Sequence, residues 1–113
     1  MKDDRLYIIH ILERIHKIEE YTNSGYQDFI ASSLQQDAVI RNLEVIGEAV
    51  KNISDRLKQA YPDVPWRRIA GLRDLLIHRY MGVDVQEVWN IIEKDIPELK
   101  EAVRRIDDEI TPH

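Results

Sequence analysis

The sequence predicts an all-α fold, an antiparallel bundle of the four-helix type with short extra helices, and three observations predict it. Apolar residues recur every three or four positions over long stretches. No stretch alternates apolar and polar residues with the period of two that a half-buried strand requires. Turn signals, "NSG" at 23–25, "YPDVP" at 61–65 and Gly82, separate the helical patterns from one another.

The elements follow in order. Residues 3–22 place Leu6, Ile9, Leu12, Ile15 or His16, and Ile18 at helical intervals, with Glu13, Lys17 and Glu20 on other faces, so this is a first helix ending at "NSG". "YQDFIA" makes a short second one. Ser32 or Ser33 can cap the third, with Gln35 or Gln36 three residues on in capping-box fashion. From Leu34 through Ala38, Leu43, Ile46, Val50, Ile53 and Leu57 the apolar period holds to about residue 60, which makes this the longest element and the spine of the core. Pro65 suits the first turn of a fourth helix, where its missing N–H costs nothing, and that helix runs to Tyr80 or Met81 before Gly82. Asp84 with Glu87 signals another N-terminus. Val85, Val88, Ile91 and Ile92 follow, and beyond a bend at Pro97 the chain continues helically with Leu99, Val103 and Ile106 inward.

Composition limits what such a bundle does. A chain of 113 residues with 43% hydrophobic content fits one domain, residues 1–113, with one modest core. No run is long and apolar enough for a membrane span, and charge interrupts "MKDDRLYIIHILERIHKIEE" too often for a signal peptide, so no membrane partner and a cytoplasmic location are expected. The absence of cysteine rules out a disulfide framework and a thiolate zinc site, and the four histidines show no metal-ligand spacing, so neither a metal nor a cofactor is expected. A net charge of -5 argues against coating nucleic acid by bulk electrostatics. Yet "WRRIAGLRDLLIHRY" at 66–80 sets Arg67, Arg68, Arg73 and Arg79 against the single acid Asp74, which leaves room for a local anion site.

"RDLLIHRY" at 73–80 concentrates the chemistry. On a helix Arg73 and Tyr80 lie within about 20° of each other around the axis and roughly 10 Å apart along it. Asp74 and His78, four apart, are neighbours on an adjacent strip, where a carboxylate can hold an imidazole in one tautomer. With Ile69, Leu72, Leu76 and Leu75 directed to the bundle, the polar groups form one outward wall.

That spacing serves two readings. An Asp–His pair in a last turn is ordinary helix decoration that also meets the C-terminal dipole. Equally, cleavage of RNA by attack of a ribose 2′-hydroxyl needs a group to move protons and a cation to stabilise the phosphorane oxygens, and His78 with Arg73 supplies both. The helix dipole raises the imidazole pKa while Arg73 and Arg79 lower it. One histidine per chain is sparse for an acid and a base, so a symmetric dimer joining two motifs belongs to this reading. Arg67 and Arg68 serve either as solvated surface or as substrate ligands. Trp66 and Trp89 read as packing anchors. Gly71 costs roughly 1 kcal/mol relative to alanine inside a helix, which points to a close helix or subunit approach.

Three segments, "DAVIRNLEVIGEAVKNIS" at 37–54, "PWRRIAGLRDLLIHRYMGVD" at 65–84 and "VWNIIEKDIPELKE" at 88–101, together resemble the HepT-like group of the HEPN superfamily, small helical proteins encoded beside a minimal nucleotidyltransferase. The superfamily signature is arginine, a polar residue, three variable residues and histidine, and "RDLLIH" fits it with Asp74 in the polar place. Tyr80 satisfies the tyrosine this subfamily adds. The resemblance implies the toxin of a type VII-like toxin–antitoxin pair. Arg73 and His78 would be catalytic in a metal-independent endoribonuclease, with Asp74 in support, acting on tRNA or mRNA in a cleft shared across a homodimer or higher oligomer. It implies that the nucleotidyltransferase antitoxin modifies Tyr80 with AMP, which would put bulk and negative charge into the cleft. Arg79 stands where relatives frequently carry an acid. Asn42 and Glu48, in the matching third-helix segment, are candidates to line the cleft, or else a polar outer strip. The alternative is a noncatalytic helical module that binds a nucleotide or partners the nucleotidyltransferase.

Overall fold

In a computed structural model, residues 2–72, 74 and 84–112 are described. Helices account for most of them: α1 (Lys2–Tyr21), α2 (Tyr26–Ile30), α3 (Ser33–Lys51), α4 (Asp55–Ala60), α5 (Trp66–Ala70), α6 (Val85–Asn90) and α7 (Ile96–Ile110), with a π-helical turn over Ile91–Asp95. No strand occurs among the described residues, and no helix there is long and apolar enough to cross a membrane. The fold is all-α, as its periodicity predicts.

Helix α1 packs against α3 and α7, and α3 against α5. Asp4 meets Ser54 just past the end of α3, whereas Arg14 meets Asn42 in its middle, so α1 and α3 run antiparallel. Lys100 near the start of α7 pairs with Glu19 near the end of α1, so these two are antiparallel as well.

The buried face of α1 is Ile8, Ile11, Ile15 and Ile18, which corrects the stripe expected through Leu6, Ile9 and Leu12. Steps of three, four and three residues keep a row in line on a helix, while successive steps of three drift by about 60° each. Leu6 is therefore left exposed, as Leu34 is at the start of α3. Most of the rest of the predicted core holds: Leu43, Ile46, Val50, Ile53, Leu57, Ile69, Leu72, Val88, Ile91, Ile92, Leu99, Val103 and Ile106 are buried, whereas Ala38 and Val85 are half-buried.

Local chemistry sets the boundaries. Gly25 takes φ 95°, which L side chains rarely adopt, and turns the chain into α2. Ser32, not Ser33, caps α3, its hydroxyl accepting from Gln35 N at 3.1 Å. Gln36 turns back and donates to the carbonyls of Phe29 and Ile30, closing the end of α2.

The third helix expected to run to residue 60 is two helices. It stops at Lys51, and Ser54 caps α4 by accepting from Leu57 N at 3.1 Å. Asn52 donates to the Glu48 carbonyl at 2.9 Å, and Asp4 of α1 accepts from both the amide and the hydroxyl of Ser54. Pro65 is the residue before α5 rather than inside its first turn. The remainder of the fourth helix as predicted, including Leu75, Leu76 and its end near Gly82, lies outside the described residues.

From Val85 to Ile110 the chain is one continuous helical element, as its pattern predicts, interrupted by the π turn just before Pro97. Asp84 caps it, accepting from Gln86 N at 2.9 Å. Pro97 explains the interruption, because it has no N–H to give the Glu93 carbonyl and its ring would clash there. The wider turn, closed by a bond from Ile96 N to Ile91 O, accommodates it and carries Ile96 into the core beside Ile92.

Candidate functional site

Arg73, His78, Arg79 and Tyr80 lie outside the described residues, and helical segments flank them on both sides. Asp74 is helical and exposed. The leading flank is α5, with Trp66, Ile69 and then Leu72 in the core. Trp66 also donates its indole N–H to the Tyr61 carbonyl at 3.0 Å, which pins the start of α5 to the loop before it. The trailing flank is the Asp84 cap.

The two arginines of α5 differ in what holds them. Arg67 is exposed, and its side chain has no partner among the described residues. Arg68 reaches Asp95 at the end of the π turn through two parallel bonds, Nε to Oδ1 and Nη2 to Oδ2, both 2.9 Å. Hydrogen bonding to Asp95, reinforced by its charge, raises the Arg68 pKa above its usual value. The pair borders a groove of about 600 Å³ whose other walls include Asp84, Glu87, Asn90 and Glu93. One charge of the basic 66–80 stretch is thereby met by an acid, and the groove around it is acidic rather than basic.

Asn42 and Glu48 do not share a surface. Asn42 is only 5% exposed; its amide donates to the Ala38 carbonyl at 2.7 Å and its oxygen accepts from Arg14 Nη1 at 3.4 Å. It is neither an outer-strip residue nor part of an open cleft. Glu48 lines a groove of about 370 Å³ between α1 and α3, together with Tyr7, His10, Arg41 and Glu44. Six residues on a helix turn through about 240°, which separates the two.

Two polar residues were not singled out by the sequence. Arg14 follows Ile11 by three and precedes Ile18 by four, so its place on the buried stripe could have been found from spacing. Asp95 could not, because its significance comes from Arg68, 27 residues away. Trp89 packs edge-on to Tyr26 with ring centres 5.4 Å apart and tilted on Phe29 at 5.3 Å, which docks α2 onto α6. Among the described residues, a Cβ on Gly71 would meet only the carbonyls of Arg67 and Arg68, at 3.3 and 3.6 Å. No cluster of three His, Asp or Glu suited to a metal occurs among the described residues.

Residues 11–106 match the family model described as "Ribonuclease HepT-like". A Methanocaldococcus jannaschii protein named "Gamma-glutamylcyclotransferase and putative RNase" is 46% identical over 110 residues, which are 96% of this chain and 50% of that protein, so the chain spans about half its length. A Thermococcus cleftensis protein named "Probable ribonuclease HepT" is 48% identical over 95 residues, 83% of this chain and 86% of the relative. A Caldanaerobacter subterraneus protein named "Putative RNase" is 42% identical over 107 residues, 94% and 96% of the two chains. No solved structure matches. The family match over most of the chain, together with these relatives, shows that the chain belongs to the HepT-like ribonuclease family.

Proposed function

We propose that this chain is a metal-independent endoribonuclease and the toxin of a two-gene toxin–antitoxin pair, acting as one domain in the cytoplasm. The observation that carries the reading is the complete R-D-x-x-x-H-x-Y set at 73–80 in a chain of this family. His78 takes the proton of a ribose 2′-hydroxyl as that oxygen bonds to the adjacent phosphorus. Arg73 stabilises the negative charge on the phosphorane oxygens. The bond from phosphorus to the 5′-oxygen then breaks, leaving a 2′,3′-cyclic phosphate, and the departing oxygen takes a proton from a second acid. The His78 of a second copy supplies that acid in a homodimer, with Asp74 holding the imidazole tautomer.

Tyr80 is the control point. A minimal nucleotidyltransferase transfers AMP from ATP to its phenol oxygen and releases pyrophosphate, filling the cleft with bulk and negative charge. The direct test of catalysis is RNA cleavage by purified wild-type and His78→Ala protein. Cleavage is expected to vanish in the variant, and undiminished cleavage removes the catalytic assignment. Incubation with the neighbouring nucleotidyltransferase and ATP is expected to add AMP by intact mass, and Tyr80→Phe to abolish it.

A second reading, a noncatalytic module for a small anionic ligand, is favoured by one observation: Arg68 is already engaged by Asp95, which reduces the cationic surface for long RNA. Tight nucleotide binding without cleavage supports that reading over the first.

A further inference from the structure

Arg68 and Asp95 meet as a fork on a fork, a geometry that fixes orientation as well as distance because a planar guanidinium matches a planar carboxylate in one relative pose. The carboxylate is the anchored end: the Asp95 side chain keeps 14% exposure against 55% for Arg68. Asp95 closes the π turn, between the buried pair Ile91 and Ile92 and the buried Ile96, so its backbone is held from both sides by the core. Single π turns inside helices recur at functional sites.

Arg68 sits on a helix of five residues, too short to be stable alone. Trp66, Ile69 and Leu72 hold its inner face, but apolar contact is not directional and leaves a short helix free to rock. The fork to Asp95 removes that freedom from outside the core. Leu72 and Asp74 are helical directly beyond the Gly71 cap of α5, so what fixes α5 bears on where the motif begins.

We propose that Asp95 is a positioning residue that acts through Arg68 to orient the Arg73–His78 motif, an inference that rests on the ribonuclease reading above. Arg68 is then a strut rather than a contact to RNA phosphate.

The test uses the full chain with Asp95→Asn and with Arg68→Lys, which keeps the charge but not the fork. Each is compared with wild type after circular dichroism confirms folding. In both variants kcat for RNA cleavage is expected to fall about tenfold or more, with KM held within about twofold. Unchanged kcat in Asp95→Asn, or a rise in KM alone in Arg68→Lys, overturns the proposal, the latter in favour of direct phosphate contact.

A second readout does not depend on catalysis. The imidazole NMR signal of His78 is expected to move in Asp95→Asn while those of His10 and His16 on α1 stay in place. An unmoved His78 signal overturns the proposal whatever the cleavage assay shows. If wild type itself does not cleave RNA, the ribonuclease reading alone fails and the His78 signal decides the role of Asp95. Should Asp95→Asn not fold, Arg68→Gln at the exposed end carries both readouts with the same outcomes.

Discussion

Asp4 and Ser54, 50 residues apart, are joined by two hydrogen bonds: Oδ1 accepts from the Ser54 amide at 2.8 Å and Oδ2 from its hydroxyl at 2.6 Å. The same hydroxyl accepts from Leu57 N, so one serine caps α4 and ties the break after α3 to the first turn of α1. Asp4 is only 4% exposed, and a buried carboxylate without these donors would be strongly disfavoured. Asp4→Ala is expected to lower stability by about 2–3 kcal/mol, since it leaves two donors short of their acceptor. Urea denaturation reads this as a shift of the midpoint at constant slope. A change below about 0.5 kcal/mol means that water replaces the carboxylate at no cost.

That pair also explains what sequence could not disclose. Val50, Ile53 and Leu57 keep three-and-four spacing straight across the break, so the apolar pattern is the same for one helix or two. A residue on another helix decides between them. The Asp84 cap, by contrast, is local chemistry and was legible. In α1 two apolar stripes compete, and only packing against α3 and α7 selects the one through Ile8 and Ile15. The candidate site divides the same way: "RDLLIHRY" stands out as a motif, whereas the fork from Arg68 to Asp95 exists only once α5 and the π turn are side by side.

Helix α2 is five residues long and depends on its aromatic contacts. Phe29 is fully buried against Trp89, and Tyr26 adds an edge-on contact to the same indole and a hydrogen bond to Gln86. Phe29→Ala is expected to cost about 3–5 kcal/mol, whereas Tyr26→Phe, which loses one exposed hydrogen bond, costs about 0.5–1 kcal/mol. Thermal melts of the two variants separate the cases. Equal losses indicate that the hydrogen bond to Gln86, rather than burial, docks α2.

Stability is expected to fall on the acid side because of the contact between α1 and α7. Partial burial pushes the Glu19 pKa up, but the hydrogen bond and charge of Lys100, with help from His16, bring it below its ordinary 4.5. A carboxylate whose folded pKa is depressed stabilises the fold above its unfolded value, and loses that contribution as pH falls through the folded value. Asp63, lowered chiefly by its bond to Arg105, acts in the same direction. Urea midpoints from about pH 6 to about pH 3 should therefore decline, and Lys100→Met should flatten the decline. The exposed pair contributes no more than about 1 kcal/mol. An identical pH profile in Lys100→Met shows that Lys100 does not set the Glu19 titration.

Arg67 and Arg68 are adjacent in sequence but should respond differently when RNA is bound. Arg67 is exposed without a partner among the described residues, so its charge is free to meet a phosphate and displace a counterion. Each phosphate contact contributes close to one to the slope of log affinity against log salt concentration. In a His78→Ala background, in which the proposed mechanism allows no cleavage during the measurement, Arg67→Gln is expected to reduce that slope by roughly 1 and weaken binding to unrelated RNA sequences about equally. Arg68→Gln should leave the slope nearly unchanged, because its guanidinium is already matched by Asp95. Fluorescence anisotropy across a salt series checks both. A slope that drops for Arg68→Gln and not for Arg67→Gln would exchange their roles, with the fork opening to let Arg68 reach the phosphate.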